Sequence, residues 1–274
     1  MSQVFDALRR SGKQLPGFEA ILELSKDFDA ADLDDLPSVR VEPLPEHRLV
    51  ALSQERSAGA ERIRMLGVRL RRWQQQNDLK TLLITGSIKD EGKSVLSANL
   101  GVSLAKTQQR VLLIDGDCHH GSLAQLFGAS RFPGLTTWWR SEDSILKYIR
   151  RVQGLPLWFL PAGEPLGPAV EMLQSARLAD MLSRASGCFD WIIVDSPPFA
   201  PLADAALWVS LTEGTLLVVR IGKTPKRMLA QVLDSVEQKK LLGVVLNDCE
   251  DPHLSYYAQY YKGNADELAQ RVRG

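Results

Sequence analysis

The architecture of this protein turns on the stretch LLITGSIKDEGKSVLSANL, residues 82–100. A short apolar run leads into a glycine-containing loop, and the loop leads into residues with helical apolar spacing. Strand, loop and helix in that order make a phosphate cradle, because backbone N–H groups and the helix N-terminus face an anion. Lys93 is then placed to reach β- and γ-phosphates, and Ser94 to ligate Mg²⁺. Ser87, Asp90, Glu91, Gly92, Lys93, Ser94 and Val95 are the residues expected around the nucleotide. The strict pattern G-x-x-x-x-G-K-[ST] fails at one position, since Gly86 lies one place early and Ser87 stands where glycine is expected. A plain turn before a helix reads much the same, so the rest of the chain must decide.

Two further runs do so. RVLLIDGD and WIIVDSPP both end apolar segments with carboxylates, Asp115 and Asp117 in the first and Asp195 in the second. Ligands of open α/β sheets sit at the carboxyl ends of strands, so these acids should converge on the edge that carries Lys93 and Ser94. A hard Mg²⁺ takes oxygen ligands, and a phosphoryl acceptor takes a nearby carboxylate that orients or deprotonates it. One such aspartate would merely open a turn, but three ordered strand-end motifs favour nucleotide binding. LPLWFLPAG, EGTLLVVR and LLGVVLND add further apolar runs, with helix-like stretches at KSVLSANLGVSLAKTQQ and AVEMLQSARLADMLSRAS. Continuous rather than alternating hydrophobicity suits strands buried on both faces, joined by right-handed helical crossovers. The expected fold is α/β, a mostly parallel central sheet flanked by helices in a three-layer sandwich.

The 274 residues suffice for one large domain and an appended segment. Lys and Arg balance Asp and Glu at 33 each, so no net basic field points to nucleic acid as a partner. Cys118, Cys188 and Cys249 are odd in number and widely spaced, which fits a reducing compartment, the cytoplasm by default. Apolar runs stop short of the roughly 18 residues that span a bilayer, and the N-terminus has no signal-peptide core, so a membrane role is expected through a partner. Residues 1–60 read as a short amphipathic helix (Val4, Phe5, Leu8) and an acidic, proline-punctuated tether, 61–250 as the nucleotide domain and 251–274 as a flexible tail. From Glu61 a helix is expected to face the core with Ile63, Leu66, Leu70 and Trp73. Trp138 and Trp139 suit a partner surface or the core equally.

The tail holds SYYAQYYKG, with Tyr256, Tyr257, Tyr260 and Tyr261, four of the five tyrosines. At positions i, i+1, i+4 and i+5 they would share one helix face and could dock it. With the motifs upstream, they read instead as phosphate acceptors.

GSIKDEGKS, VLLIDGD and IIVDSPP, followed by a tyrosine cluster, resemble the bacterial tyrosine kinases of capsule and exopolysaccharide synthesis in their stand-alone form. The resemblance covers about residues 60–262, and VDSPP with the flanking PLADA is its most specific part. It implies a fold related to the MinD and ParA ATPases and Walker A, A′ and B motifs that bind ATP·Mg²⁺. It also implies that one subunit's tyrosine tail is phosphorylated in a neighbour's site within a ring. By position, Lys93 binds phosphate and is catalytic together with Asp115 and Asp117, Asp115 taking or orienting the tyrosine proton, while Ser94, Asp115 and, through water, Asp195 hold Mg²⁺. Asp204 is read as structural or as a tail contact. Implied partners are a membrane-bound polysaccharide co-polymerase or chain-length protein as activator, further copies of the chain, and a phosphotyrosine phosphatase. The implied location is the inner face of the membrane.

The departures from that family are specific. Lys89-Asp90 replaces a Pro-Gly pair, and an acid in a phosphate cradle is unfavourable unless it turns away. Cys118, His119, His120 and Gly121 stand where arginines and a proline are usual, losing arginine's fixed positive fork. Neighbouring histidines with no third ligand read as ordinary loop residues. The ring motif Glu-x-x-Arg-x-x-Arg keeps Glu61 and Arg64 but has Gly67 for its second arginine, with Arg69, Arg71 and Arg72 nearby, which leaves ring closure open. The alternatives are a MinD- or ParA-like nucleotide switch, an ATP-binding pseudokinase scaffold, and a regulatory subunit that presents its tail to another kinase. The switch proteins carry a signature lysine five places before the cradle lysine, where this chain has Ile88 with Lys89 one place late.

Overall fold

The computed structural model describes residues 33–167, 169–200 and 203–249. The first helix, the tyrosine cluster and the rest of the tail fall outside them. In chain order the elements are β1 Ser38–Val39, α1 Val50–Ser53, α2 Ala58–Asn77, β2 Thr81–Gly86, α3 Lys93–Ala105, β3 Val111–Asp115, α4 Leu123–Leu126 and α5 Leu135–Trp139. There follow β4 Arg150–Val152, β5 Leu157–Leu160, α6 Val170–Leu173, α7 Ala176–Cys188, β6 Trp191–Asp195, α8 Asp204–Leu211, β7 Gly214–Arg220, α9 Lys226–Ser235 and β8 Leu241–Asn247.

The strands form one sheet in the order β1-β4-β5-β3-β6-β2-β7-β8. The six apolar runs are β5, β3, β6, β2, β7 and β8, all parallel. Leu82 and Ile84 enter one core cluster and Leu83 the other, and Leu112 and Ile114 alternate in the same way with Val111 and Leu113. Period-two alternation with both faces covered explains why these strands read as unbroken hydrophobic runs. β8 departs from that expectation: it is the edge strand, and Val244 and Leu246 are exposed. The helical stretch read over 169–186 is two helices, because the Ser175 hydroxyl accepts the Leu178 N–H and starts a new one.

The tether expected up to residue 60 begins the folded body instead. Leu33 is fully buried and its carbonyl accepts the Trp158 indole N–H at 2.8 Å. β1 pairs with β4, which itself runs antiparallel to β5. Leu49 is fully buried, the Ala51 N–H donates to Asn99 Oδ1 at 2.9 Å, and Lys106 donates to the Ala51 carbonyl. The apolar residues of this stretch are few, the longest run being Leu49–Leu52, and they find their places against α2, α3 and the sheet. Leu49→Ala is therefore expected to destabilise the protein by about 2–4 kcal/mol, read as a lower urea midpoint at unchanged slope. A tether would show no change.

Helix α2 lies across α3 through Gly67, whose added Cβ would sit 3.5 Å from Leu104 Cδ2. Its inward residues are Ala60, Gly67 and Leu70, with Ile63 and Leu66 partly covered. Trp73, expected in that stripe, is exposed: after Leu70 the inward position passes to Gln74, whose amide donates to the Asp190 carbonyl at 2.7 Å. Trp138 is core, with the Arg177 guanidinium 4.4 Å from its ring centroid, and Trp139 packs against the same cluster. Gly101 of α3 faces β3 so closely that a Cβ would lie 2.9 Å from Leu113. This close packing seats the N-terminus of α3 directly over the carboxyl ends of the central strands.

Candidate functional site

The adjacency of β3, β6 and β2 brings the three motifs together. Asp115 is registered opposite Asp195, and Asp195 opposite Ile84 at the end of β2. The loop between β2 and α3 holds two left-handed residues, Asp90 at φ 63° and Gly92 at φ 95°. The φ of Gly92 favours glycine, and an added Cβ would also push away the Asn247 amide. A cavity of about 790 Å³ opens beside the loop, of a size that takes a nucleotide.

Gly92, Lys93, Ser94, Val95, Asp90 and Asp117 line it, as expected. Ser87 and Glu91 do not, although both were expected at the nucleotide. Ser87 is fully buried, and its hydroxyl has no hydrogen-bond partner among the described residues. The Glu91 carboxylate turns inward as a staple, accepting the Ile88 N–H at 3.0 Å and the Thr224 hydroxyl at 2.5 Å. The Asn247 amide holds the Glu91 carbonyl at 2.8 Å. Asp90 turns its carboxylate toward Lys223 at 3.4 Å, largely in solvent, which relieves the cradle of its negative charge.

Lys93 is nearly buried, and its ammonium donates to the Ile88 carbonyl at 3.0 Å. Burial pushes its pKa down against the pull of Asp195, Glu91, Asp117 and Asp90. Asp195 accepts the Ser97 hydroxyl at 3.2 Å; burial pushes its pKa up to about 6, against the opposing effects of Ser94, Lys93 and Ser97. Asp115 is held well above the usual carboxylate range, first by burial and then by the charge of Asp195. Its Oδ2 accepts the Leu123 N–H at 3.0 Å, while its buried Oδ1 has no hydrogen-bond partner among the described residues. Gly121 closes over it, since an added Cβ would lie 2.6 Å from Oδ2. Asp115 and Asp195 thus form a second layer behind the cavity wall. Two adjacent buried carboxylates, one with an orphaned oxygen, next to the Ser94 hydroxyl fit a hard divalent cation such as Mg²⁺.

Several wall residues had not been anticipated. Arg220 binds Asp248 through Nε at 2.9 Å and Nη2 at 2.8 Å, and its Nη1 reaches the Asp90 carbonyl at 3.2 Å. With Asn247 they stand at the carboxyl ends of β7 and β8, where the strand-end rule used for the aspartates would have found them. Arg48 enters from the N-terminal segment, and no spacing in the sequence announces it. His119 also lines the cavity, with Nε2 2.9 Å from Asp204 Oδ2.

A phosphate cradle between β2 and α3, with carboxylates ending the two neighbouring strands, defines a P-loop nucleotide-binding protein. The model of the CobQ/CobB/MinD/ParA nucleotide binding domain matches residues 82–272. The tyrosine-protein kinase CpsD of Streptococcus agalactiae is 30% identical over 67% of this chain and 82% of its own length. The succinoglycan biosynthesis transport protein ExoP of Rhizobium meliloti is 31% identical over 79% of the chain, which spans only 28% of that longer protein. The kinase domain of the Escherichia coli tyrosine kinase ETK superposes with a TM-score of 0.70 at 27% identity, over 78% of this chain and 84% of that domain. The chain belongs to the CobQ/CobB/MinD/ParA nucleotide-binding family and, within it, to the bacterial tyrosine-protein kinases.

Proposed function

We propose that this protein is an ATP-dependent protein-tyrosine autokinase that phosphorylates its own C-terminal cluster in trans and regulates exopolysaccharide or capsule synthesis and export. The observation that carries this reading is the convergence of Lys93, Ser94, Asp117 and, behind them, Asp115 and Asp195 on one cavity of nucleotide size, in a chain that continues into Tyr256, Tyr257, Tyr260 and Tyr261.

In this reading Lys93 exchanges the Ile88 carbonyl for phosphate oxygens, and the α3 N-terminus and Gly92 offer N–H groups to the same anion. Ser94 and Asp195 would hold Mg²⁺, with Asp115 alongside; the ion supplies neutralisation of phosphate charge and alignment of the leaving oxygen. A tyrosine oxygen of another copy then forms a bond to the γ-phosphorus as the bond to ADP breaks.

Self-association follows from action in trans, and a phosphotyrosine phosphatase would reset the tail. Among the described residues no helix is long and apolar enough to cross a membrane. The activator we propose is a membrane-bound polysaccharide co-polymerase or chain-length protein, which would hold the chain at the inner face of the membrane from the cytoplasmic side. Its cytoplasmic segment should raise the rate when added.

Intact-mass measurement tests the activity directly. Dephosphorylated protein from a host without tyrosine kinases should gain several phosphoryl groups on incubation with ATP·Mg²⁺. A variant with the four tail tyrosines changed to phenylalanine should gain none. Retention or hydrolysis of ATP with no mass gain, even with the activator segment present, would instead support a nucleotide switch or a pseudokinase scaffold.

A further inference from the structure

The cavity wall contains a histidine–aspartate pair that the kinase motifs do not account for. His119 lies on the loop after β3 with its side chain 23% exposed, and its Nε2 is 2.9 Å from Oδ2 of Asp204, whose side chain is 5% exposed. An ionised carboxylate only accepts hydrogen bonds, so the neutral ring must carry its proton on Nε2 and its lone pair on Nδ1. Among the described residues Nδ1 has no protein partner. Asp204 is the first residue of α8, so its carboxylate is placed by the start of that helix.

The loop is held as firmly as the ring. Arg131 donates to the carbonyls of Cys118 at 3.1 Å, His119 at 3.4 Å and Gly163 at 2.9 Å. From the other side, Asp117 Oδ1 accepts the His119 N–H at 3.1 Å and the His120 N–H at 2.8 Å. A ring held at Nε2 by Asp204, on a backbone held from both sides and lining the cavity that carries Lys93, Ser94 and Asp117, is the arrangement of a positioned base.

The competing groups are less suited. Asp115 lies behind Gly121, outside the cavity lining, with one oxygen already occupied by the Leu123 N–H. One oxygen of Asp117 is spent on two loop N–H groups. Lys93 and Arg131 are cations, and His120 is exposed with no side-chain partner among the described residues to aim its ring.

We propose that His119, positioned by Asp204, is a catalytic residue that receives the acceptor hydroxyl's proton during phosphoryl transfer from ATP. This rests on the autokinase reading. As the phenolic oxygen bonds to the γ-phosphorus, the bond to the ADP oxygen breaks and ADP departs with that electron pair. The phenol's proton passes to Nδ1. The Asp204 carboxylate stabilises the resulting imidazolium, which later returns the proton to water. The role given by resemblance to Asp115 passes to a residue that stands where the family carries arginine.

The test combines turnover with a measurement that needs none. His119→Gln should lower the rate of tail phosphorylation by roughly 10²-fold with the ATP dissociation constant within about twofold. Imidazole added to His119→Ala should restore part of the rate. Asp204→Asn should slow transfer about tenfold or more and disturb the ring's tautomer, because an amide can donate to Nε2. The chain has only 4 histidines, so long-range proton–nitrogen NMR spectra, assigned with His119→Gln, resolve the tautomer of this one. The expected state is protonated on Nε2 and bare on Nδ1. A ring protonated on Nδ1, or a His119→Gln variant with an unchanged rate, overturns the proposal. A wild type with the expected tautomer but no phosphoryl transfer fails the kinase reading, and this role with it.

Discussion

Lys93→Met is expected to eliminate tail phosphorylation, with a fall of at least about 10³-fold in rate and of roughly 10²-fold in ATP affinity. The ammonium is almost fully enclosed, so the protein has already met the cost of removing it from water. A charge-assisted hydrogen bond in such a setting contributes about 1.5–3 kcal/mol, and a phosphate takes more than one. The preorganised charge adds a further contribution as negative charge develops on the transferring group. Methionine keeps the length and flexibility of the side chain and loses only the charge and its hydrogen bonds. The loop itself should survive, because the Glu91 staple, the Asn247 amide and Arg220 hold it independently of Lys93. Titration of a fluorescent ATP analogue, with a thermal melt as the folding control, reads both effects. Tail phosphorylation in the native host that persists in this variant would assign the activity to another kinase.

Asp195→Asn should separate stability from activity in opposite directions. In the nucleotide-free protein the carboxylate is buried beside Asp115, and its pKa is raised from the ordinary 3.8 to about 6. The folded protein therefore binds more protons than the unfolded chain between those values. The contribution of Asp195 to stability is greatest below about pH 4 and is lost as pH rises through about 6. Asparagine removes the charge with little change of shape and can still accept the Ser97 hydroxyl. The variant is expected to be more stable than wild type by about 1–3 kcal/mol at pH 8, with the gain shrinking toward pH 5. Phosphoryl transfer should fall by more than about 10²-fold, since a neutral amide is a poor partner for Mg²⁺. Urea unfolding at the two pH values decides it: a variant less stable than wild type at pH 8 would mean that Lys93 and Ser97 already compensate the carboxylate in full.

The strand runs were legible because a buried parallel strand must be apolar on both faces, and the strand-end acids because a sheet presents its ligands at one edge. The same rule applied to EGTLLVVR and LLGVVLND would have added Arg220, Asn247 and Asp248. Residues 33–57 were misread for the converse reason. Leu33 and Val39 are isolated among acids and prolines and Leu49–Leu52 is a run of only four, and they are placed by distant partners, such as Trp158, 125 residues on, for Leu33 and Asn99, 48 residues on, for Ala51. Glu91 shows the limit within the cradle itself. Its position in the motif suggests the nucleotide, but Thr224, 133 residues later, takes its carboxylate away.

By itself the sequence determined the α/β class, the six parallel strands and the convergence of Lys93, Ser94, Asp115 and Asp195 on one sheet edge. Those follow from local periodicity and from the rule that successive strands deliver their ends to one side. Only the tertiary structure decided which carboxylates face the cavity, that Arg48 reaches it, and that His119 and Asp204, 85 residues apart, meet at 2.9 Å. Side-chain direction at a site depends on contacts between elements distant in the chain, and spacing along the chain carries no record of them.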